Sequence, residues 1–232
     1  ALNSLTGEHP GRLHVLPLDV ADAKSRARLA HELPLVLGER EDGTPGTLDL
    51  LVNNAGVLHS GERFGHVEQA VLEDSLRTNA IGPFLLAQAL APLLRDVAPG
   101  VEGGREAIKS LPDTRLVDRL PPTLDAPPFR TVIANISSQL GSIANTTRFG
   151  TPSYDISKAA QNMGSVLLAR ALAERGIVVL ALHPGWVQTE MGGAQAQVAP
   201  ADAVAGLLRV IDAATPAQSG SFIDWRGERL PW

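Results

Sequence analysis

Tyr154 and Lys158 stand four residues apart in the segment Tyr154-Asp155-Ile156-Ser157-Lys158. Tyr154 is the one tyrosine of the 232-residue chain, and Lys24, Lys109 and Lys158 are its only lysines among twenty Lys and Arg residues. With lysine this scarce, chance places one at a fixed offset from the lone tyrosine roughly once in eighty. On a helix the two residues share a face, about 6 Å apart along the axis. An ammonium beside a phenol favours tyrosinate, so the phenol is expected to fall below its reference of about 10. Tyr154 then serves as general acid in a reduction and general base in an oxidation. Lysine suits this place where arginine does not, because a guanidinium keeps its proton in a protein.

Such a pair needs elements to place it. Residues 13–17 read as a strand and 21–37 as a helix. Residues 48–53 form an apolar strand ending in the turn Asn54-Ala55-Gly56, and a long helix follows over 71–94. Residues 131–136 are a strand and 152–175 a helix stopped by Gly176. Residues 177–183 read as a buried strand, 201–213 as a helix and 221–224 as a last short strand. Alternating strands and helices predict one α/β domain over 1–232, a doubly wound (Rossmann-like) parallel sheet with helices on both faces. Residues 96–129, rich in Pro and Gly, fit no period and are read as a surface insertion.

Ligands in such sheets bind beyond the carboxyl ends of the strands. Asp19-Val20, Asn53-Asn54-Ala55-Gly56, Ser137-Ser138 and Pro184-Gly185 each follow a strand. Singly, each is an ordinary cap, turn, loop or break. Together, in step with Tyr154 and Lys158, they outline a site. Asn79 lies four residues before Pro83, which has no N–H, so the Asn79 carbonyl lacks its helical donor and Gly82-Pro83 should bend the helix.

With these residues in view, the chain from about Leu13 onward closely resembles the short-chain dehydrogenase/reductase family. The resemblance rests on Asp19-Val20, Asn53-Asn-Ala-Gly56, Asn79, Asn135-Ile-Ser-Ser138, Tyr154-x-x-x-Lys158 and Pro184-Gly-x-Val-x-Thr189. His183-Pro-Gly-Trp-Val-Gln-Thr-Glu-Met-Gly-Gly193 and the stretch 224–232 are similar to the C-factor and sniffer-type carbonyl reductase branch. The resemblance implies a catalytic set of Asn79, Ser138, Tyr154 and Lys158. Ser138 would hydrogen-bond the substrate oxygen, with Ser137 the alternative, and the Asn79 carbonyl would hold a water linking Lys158 to solvent.

For the cofactor, the resemblance favours NADP(H) over NAD(H). Asp19 would meet the adenine amine with Val20 beside it, and Asn53, Ala55 and Gly56 would pass along the adenosine side. Lys158 would also reach the nicotinamide ribose, next to Tyr154. Pro184, Gly185, Val187 and Thr189 would frame the nicotinamide. Leu140, Phe149, Trp186 and Met191 would meet a small carbonyl or alcohol substrate, in a site left open by the short 186–199 segment. Pairing into a homodimer or homotetramer through the helices at 71–94 and 152–175 is implied, and a monomer stays open.

The family begins with a strand, a Gly-rich turn, a helix and a second strand, and none of these precedes Ala1. That βαβ unit normally cradles the pyrophosphate and selects between the two nicotinamide cofactors. The expectation is a longer protein, since without it 13–17 and 48–53 would both be unpaired edges.

Composition bounds the remaining classes. A net charge of −5 with mixed signs gives no basic stripe for nucleic acid and no polybasic membrane patch. There are no cysteines, which excludes disulfides and thiolate sites and suits a cytoplasmic setting. The six histidines show no His-x-x-x-His pairing, so no metal site is expected. The leading reading is an NAD(P)-dependent carbonyl reductase. The alternative is a non-catalytic binding or signalling protein on the same fold, and a scaffolding role for 96–129 has only that segment's length behind it.

Overall fold

The computed structural model describes residues 2–40, 42–97 and 131–232. Of the predicted insertion only residues 96 and 97 fall among them, and 98–129 lie outside. Four parallel strands form one sheet in the order β1 (Leu50–Asn53), β2 (Val132–Ile136), β3 (Val178–His183) and β4 (Ser221–Asp224). The helices are α1 (Leu2–Glu8), α2 (Ala23–Leu37), α3 (Gln69–Leu76), α4 (Gly82–Leu90), α5 (Pro152–Ala171) and α6 (Pro200–Asp212). Among the described residues, no helix is long and apolar enough to cross a membrane.

The period of two along β2 and β3 sorts their side chains onto two cores. Ile133 and Val179 pack with Ala87 of α4 and with Leu168 and Ala169 of α5. Val132, Ala134, Val178, Leu180 and Leu182 face the other way, toward Ile211 of α6. Helices therefore cover both faces, and the continuous apolar run of β3 is buried along its whole length. On the outside of α4, Leu86 and Leu90 meet Leu29 of α2, together with Val20. Helix α2 starts at Asp22, whose carboxylate accepts the Ser25 N–H at 2.8 Å.

Three expectations need correction. Residues 13–17 are not a strand: they have no ladder partner among the described residues, and apolar character alone does not make a strand without a neighbour to hydrogen-bond. Strand β1 starts at Leu50, because Leu48 turns to bridge Leu94. Among the described residues β1 is an edge of the sheet, with Leu50 39% and Val52 45% exposed on the face opposite Leu51. The long helix over 71–94 is four pieces: α3, a π turn, α4 and the 3-10 turn Ala91–Leu93. Between α3 and α4 the turn Arg77–Ile81 is π-helical, and the Gly82 N–H reaches back to the Arg77 carbonyl. Pro83 offers no N–H to Asn79, and the turn widens where that donor is missing.

Two glycines hold this frame together. Gly176 ends the turn after α5 at φ 67°, and any Cβ there would stand 2.4 Å from the Val97 carbonyl oxygen. Gly82 lets α4 meet the chain before α2: a Cβ would lie 2.6 Å from the Val20 carbonyl oxygen and 2.9 Å from its Cγ2. Gly82→Ala should therefore lower stability by about 1–3 kcal/mol through overpacking, although helix propensity alone would favour Ala by about 1 kcal/mol. Urea denaturation measures this, and a midpoint equal to or above that of the parent would contradict the close approach.

Candidate functional site

The carboxyl ends of β1, β2 and β3 meet the first two turns of α5. Pro152 occupies the first helical position, where its missing N–H costs nothing, so Tyr154 lies in the first turn and Lys158 one turn on. The Lys158 Nζ stands 5.6 Å from the Tyr154 ring centroid. It donates to the Ile136 carbonyl at the end of β2 (2.8 Å) and to Gln161 Oε1 (2.9 Å). Burial with no carboxylate among those partners lowers Lys158 from 10.5 to about 8.

Tyr154 departs from expectation. Burial raises the phenol, and the neighbouring Ser138 hydroxyl opposes this only in part, with Asp155 adding to the rise. Lys158 does not bring it down: its ammonium is held by two other oxygens, and desolvation disfavours its own charge.

The serines divide cleanly. The Ser137 hydroxyl donates to Asn162 Oδ1 at 2.6 Å, fastening β2 to α5. The Ser138 hydroxyl accepts the Leu140 N–H at 3.2 Å and faces the Tyr154 phenol. Asn79, fully buried in the π turn, exchanges two hydrogen bonds with the Val57 backbone at 2.8 and 2.9 Å. Its amide also donates to Ser157 Oγ (2.9 Å), which in turn donates to the Tyr154 carbonyl (2.7 Å). A second buried chain runs from the Asn53 amide to Asn135 (2.7 Å), on to Ser165 (2.9 Å) and then to the Gln161 carbonyl (2.9 Å).

The structure thus brings Asn79, Ser138, Tyr154 and Lys158 into one cluster and sets Gly56 against it. A Cβ on Gly56 would fall 3.3 Å from Asn79 Oδ1 and 3.8 Å from Lys158 Nζ. Asn53 keeps its side chain inside the fold, while Ala55 is exposed. Asp19, also exposed, accepts the Ala21 N–H in a local turn beside buried Val20. Gly185 has φ 83° and lies so close to the Trp225 indole that a Cβ would be 2.8 Å from Nε1. Val187 bridges Val198, and the Thr189 hydroxyl accepts the Gly192 N–H at 3.1 Å, folding the 186–198 segment on itself. Phe149, Trp186 and Met191 are about half exposed, whereas Leu140 lines a small cavity with Arg148, Thr151 and Asp155.

This surface fits the nicotinamide end of a dinucleotide. The Cβ-free position at Gly56 leaves room directly beside Lys158, whose ammonium donates to the Ile136 carbonyl and Gln161 Oε1. Sequence reasoning missed Ser157, Gln161, Glu62 and Phe64. The first two sit at helical spacings from Tyr154 and Lys158 and were legible in principle. The other two act over distances in the chain that no local pattern signals.

Three comparisons bear on this arrangement. A family model described as short chain dehydrogenase matches residues 1–102 and 122–199. The C-signal protein of Myxococcus xanthus is 36% identical over 187 residues, 81% of this chain and 94% of that protein. Among solved structures, the carbonyl reductase Sniffer of D. melanogaster is 28% identical with a TM-score of 0.79, over 100% of this chain and 82% of that one. The NADPH-bound carbonyl reductase from chicken fatty liver is 31% identical with a TM-score of 0.78, over 100% and 81% of the two chains.

Lys158 also carries a stability signature. With a folded value near 8 and an unfolded value of 10.5, the fold bears the full cost of the buried charge below pH 8. That cost fades as pH rises from 8 to 10.5, so stability climbs through this window. The shift corresponds to at most about 3 kcal/mol. Lys158→Met should raise the thermal midpoint at pH 7 and flatten the climb, as thermal unfolding across pH 7–11 will show. A lower midpoint with an unchanged pH profile would contradict the assignment.

Proposed function

The chain belongs to the short-chain dehydrogenase family of oxidoreductases, and we propose that within it the protein reduces a carbonyl compound, or oxidises the matching secondary alcohol, with NADP(H). The observation that carries this reading is the clustering of buried Ser138, Tyr154 and Lys158, with the Lys158 Nζ 5.6 Å from the Tyr154 ring centroid one helical turn away. The cofactor, when bound, supplies the hydride. Lys158 would hold its nicotinamide ribose, and Pro184, Gly185, Val187 and Thr189 would frame the ring.

Ser138 orients the carbonyl oxygen, and Tyr154 donates its proton to that oxygen as the carbon gains a hydride. Reversed, tyrosinate takes the alcohol proton. A phenol raised by burial holds its proton firmly at neutral pH, which suits the reducing direction. Lys158, lowered to about 8, is able to pass a proton to the phenolate after each turn. The preference for NADP(H) is supported by the chicken enzyme, which was solved with NADPH. The apolar Trp186, Met191 and Phe149, all half exposed, suit an apolar substrate.

Tyr154→Phe should abolish turnover of a carbonyl panel with NADPH while leaving cofactor titration by nicotinamide fluorescence nearly unchanged. Retained turnover would overturn the role of Tyr154. The second reading, a cofactor-binding protein with a signalling role, has one observation in its favour: the similarity to C-signal. It predicts cofactor binding without turnover in the parent protein.

The Asn79 carbonyl, left without a helical donor by Pro83, is proposed as the water site that connects Lys158 with solvent. Pro83→Ala supplies an N–H to that carbonyl and should depress turnover and shift the pH–rate profile. An identical rate and profile would remove this role.

A further inference from the structure

Residues 54–68, between β1 and α3, contain no helix or strand. Yet the segment is fastened at four points. Val57 is held by Asn79, and His59 Nε2 lies 2.9 Å from an Asp74 carboxylate oxygen on α3. Phe64 meets Phe149 edge to face at 5.8 Å. The fourth point is Glu62, whose carboxylate accepts the Ser153 N–H at 3.2 Å and, by a second short bond, the Ser153 hydroxyl.

Ser153 is fully buried and immediately precedes Tyr154. Its N–H is one of the first-turn donors that a helix cannot satisfy internally. The residue placed to cap α5, Thr151, makes no side-chain bond to these donors; its hydroxyl donates to Asp155 instead. Glu62, 91 residues earlier in the chain, does that work. A carboxylate at this end of a helix is also favoured by the helix dipole.

We propose that Glu62 is a positioning residue for proton transfer: it caps α5 from outside the helix and ties the 54–68 loop to the turn that carries Tyr154. Loop placement and phenol placement are then one variable. Phe64, 87% exposed, and Phe149 form the outer, apolar lip of the same clasp. A substrate that presses on the lip is felt at the first turn of α5 through Glu62. The hydrogen bonds of Glu62 go to Ser153 and not to Tyr154. The functional part of this inference rests on Tyr154 being the acid; the structural part does not.

Tyrosinate absorbance, taken as the difference from the matching Tyr154→Phe variant, reports Tyr154 directly. The full-length protein is compared with Glu62→Ala and Glu62→Gln. A glutamine keeps an acceptor for the Ser153 N–H and an amide donor for its hydroxyl. Glu62→Ala should open the first turn to water, so the phenol titrates at lower pH, nearer its ordinary range. Trypsin should cut after Arg63 faster, and kcat should fall about tenfold to a hundredfold with little change in KM for NADPH. Glu62→Gln should restore all three. Should Glu62→Ala fail to fold, Ser153→Ala is read by the same titration and cleavage. Unchanged titration and cleavage in the variant that is read overturns the proposal. A parent protein without turnover refutes the enzymatic reading alone, because titration and cleavage still decide the role of Glu62.

Discussion

The Lys158 ammonium is buried against two neutral oxygens, and desolvating a cation in this way is costly unless its surroundings are fixed. One acceptor is the last carbonyl of β2, the other a side chain on the cation's own helix. The ammonium therefore locks α5 against the sheet as well as facing Tyr154. The polar chains on either side do the same in neutral form. Asn79 joins the π turn to Ser157, Ser137 joins β2 to Asn162, and Asn135 joins both β1 and Ser165. Helix α5 is thus held by hydrogen bonds along its first four turns and by Leu168 and Ala169 beyond them. Hydrogen bonds fix direction more sharply than apolar contact does, and the part of α5 they hold includes the two turns that carry Tyr154 and Lys158.

Much of this was legible because central parallel strands are apolar without alternation. Residues 221–224 were read with their observed bounds, and 131–136 and 177–183 to within one residue at the start. Helix α5 declared its start through Pro152, but it ends at Ala171, short of the expected 175, and Gly176 closes the 3-10 turn Ala173–Arg175 that follows. The segment 13–17 misled for the complementary reason. Its residues are apolar enough for a strand, but a strand is a relation to a neighbour, and composition says nothing about one. The π turn also escaped, although its cause was visible: Pro83 announces a fault in the hydrogen-bond ladder but does not say how the chain relieves it.

The site was legible as a set of positions more than as an electrostatic environment. Tyr154 and Lys158 were found from type and spacing and Ser138 from the family resemblance, and the structure brings them together. The sign of the phenol's shift was not readable, because a helical offset gives the distance to a charge and not the water lost around it. Nor was Ser153 remarkable in sequence. Its part in the site depends on a carboxylate arriving from a loop beyond β1, and no periodicity links residues 62 and 153.

The π turn has a consequence for how the two halves of one helix are aimed. Successive residues in an α-helix are rotated by about 100°, so a turn holding one residue more than an α-turn resets the phase of everything after it. Ser75, before the turn, and Leu86 and Leu90, after it, are all buried, but they obey two separate clocks. Removing a single residue from 77–81 would leave a smoother helix and a wrongly rotated one, swinging Leu86 and Leu90 away from Leu29 and withdrawing Asn79 from Val57. The wide turn works as a phase adjuster, letting one stretch of chain serve the packing of α2 on one side and the aim of α5 on the other.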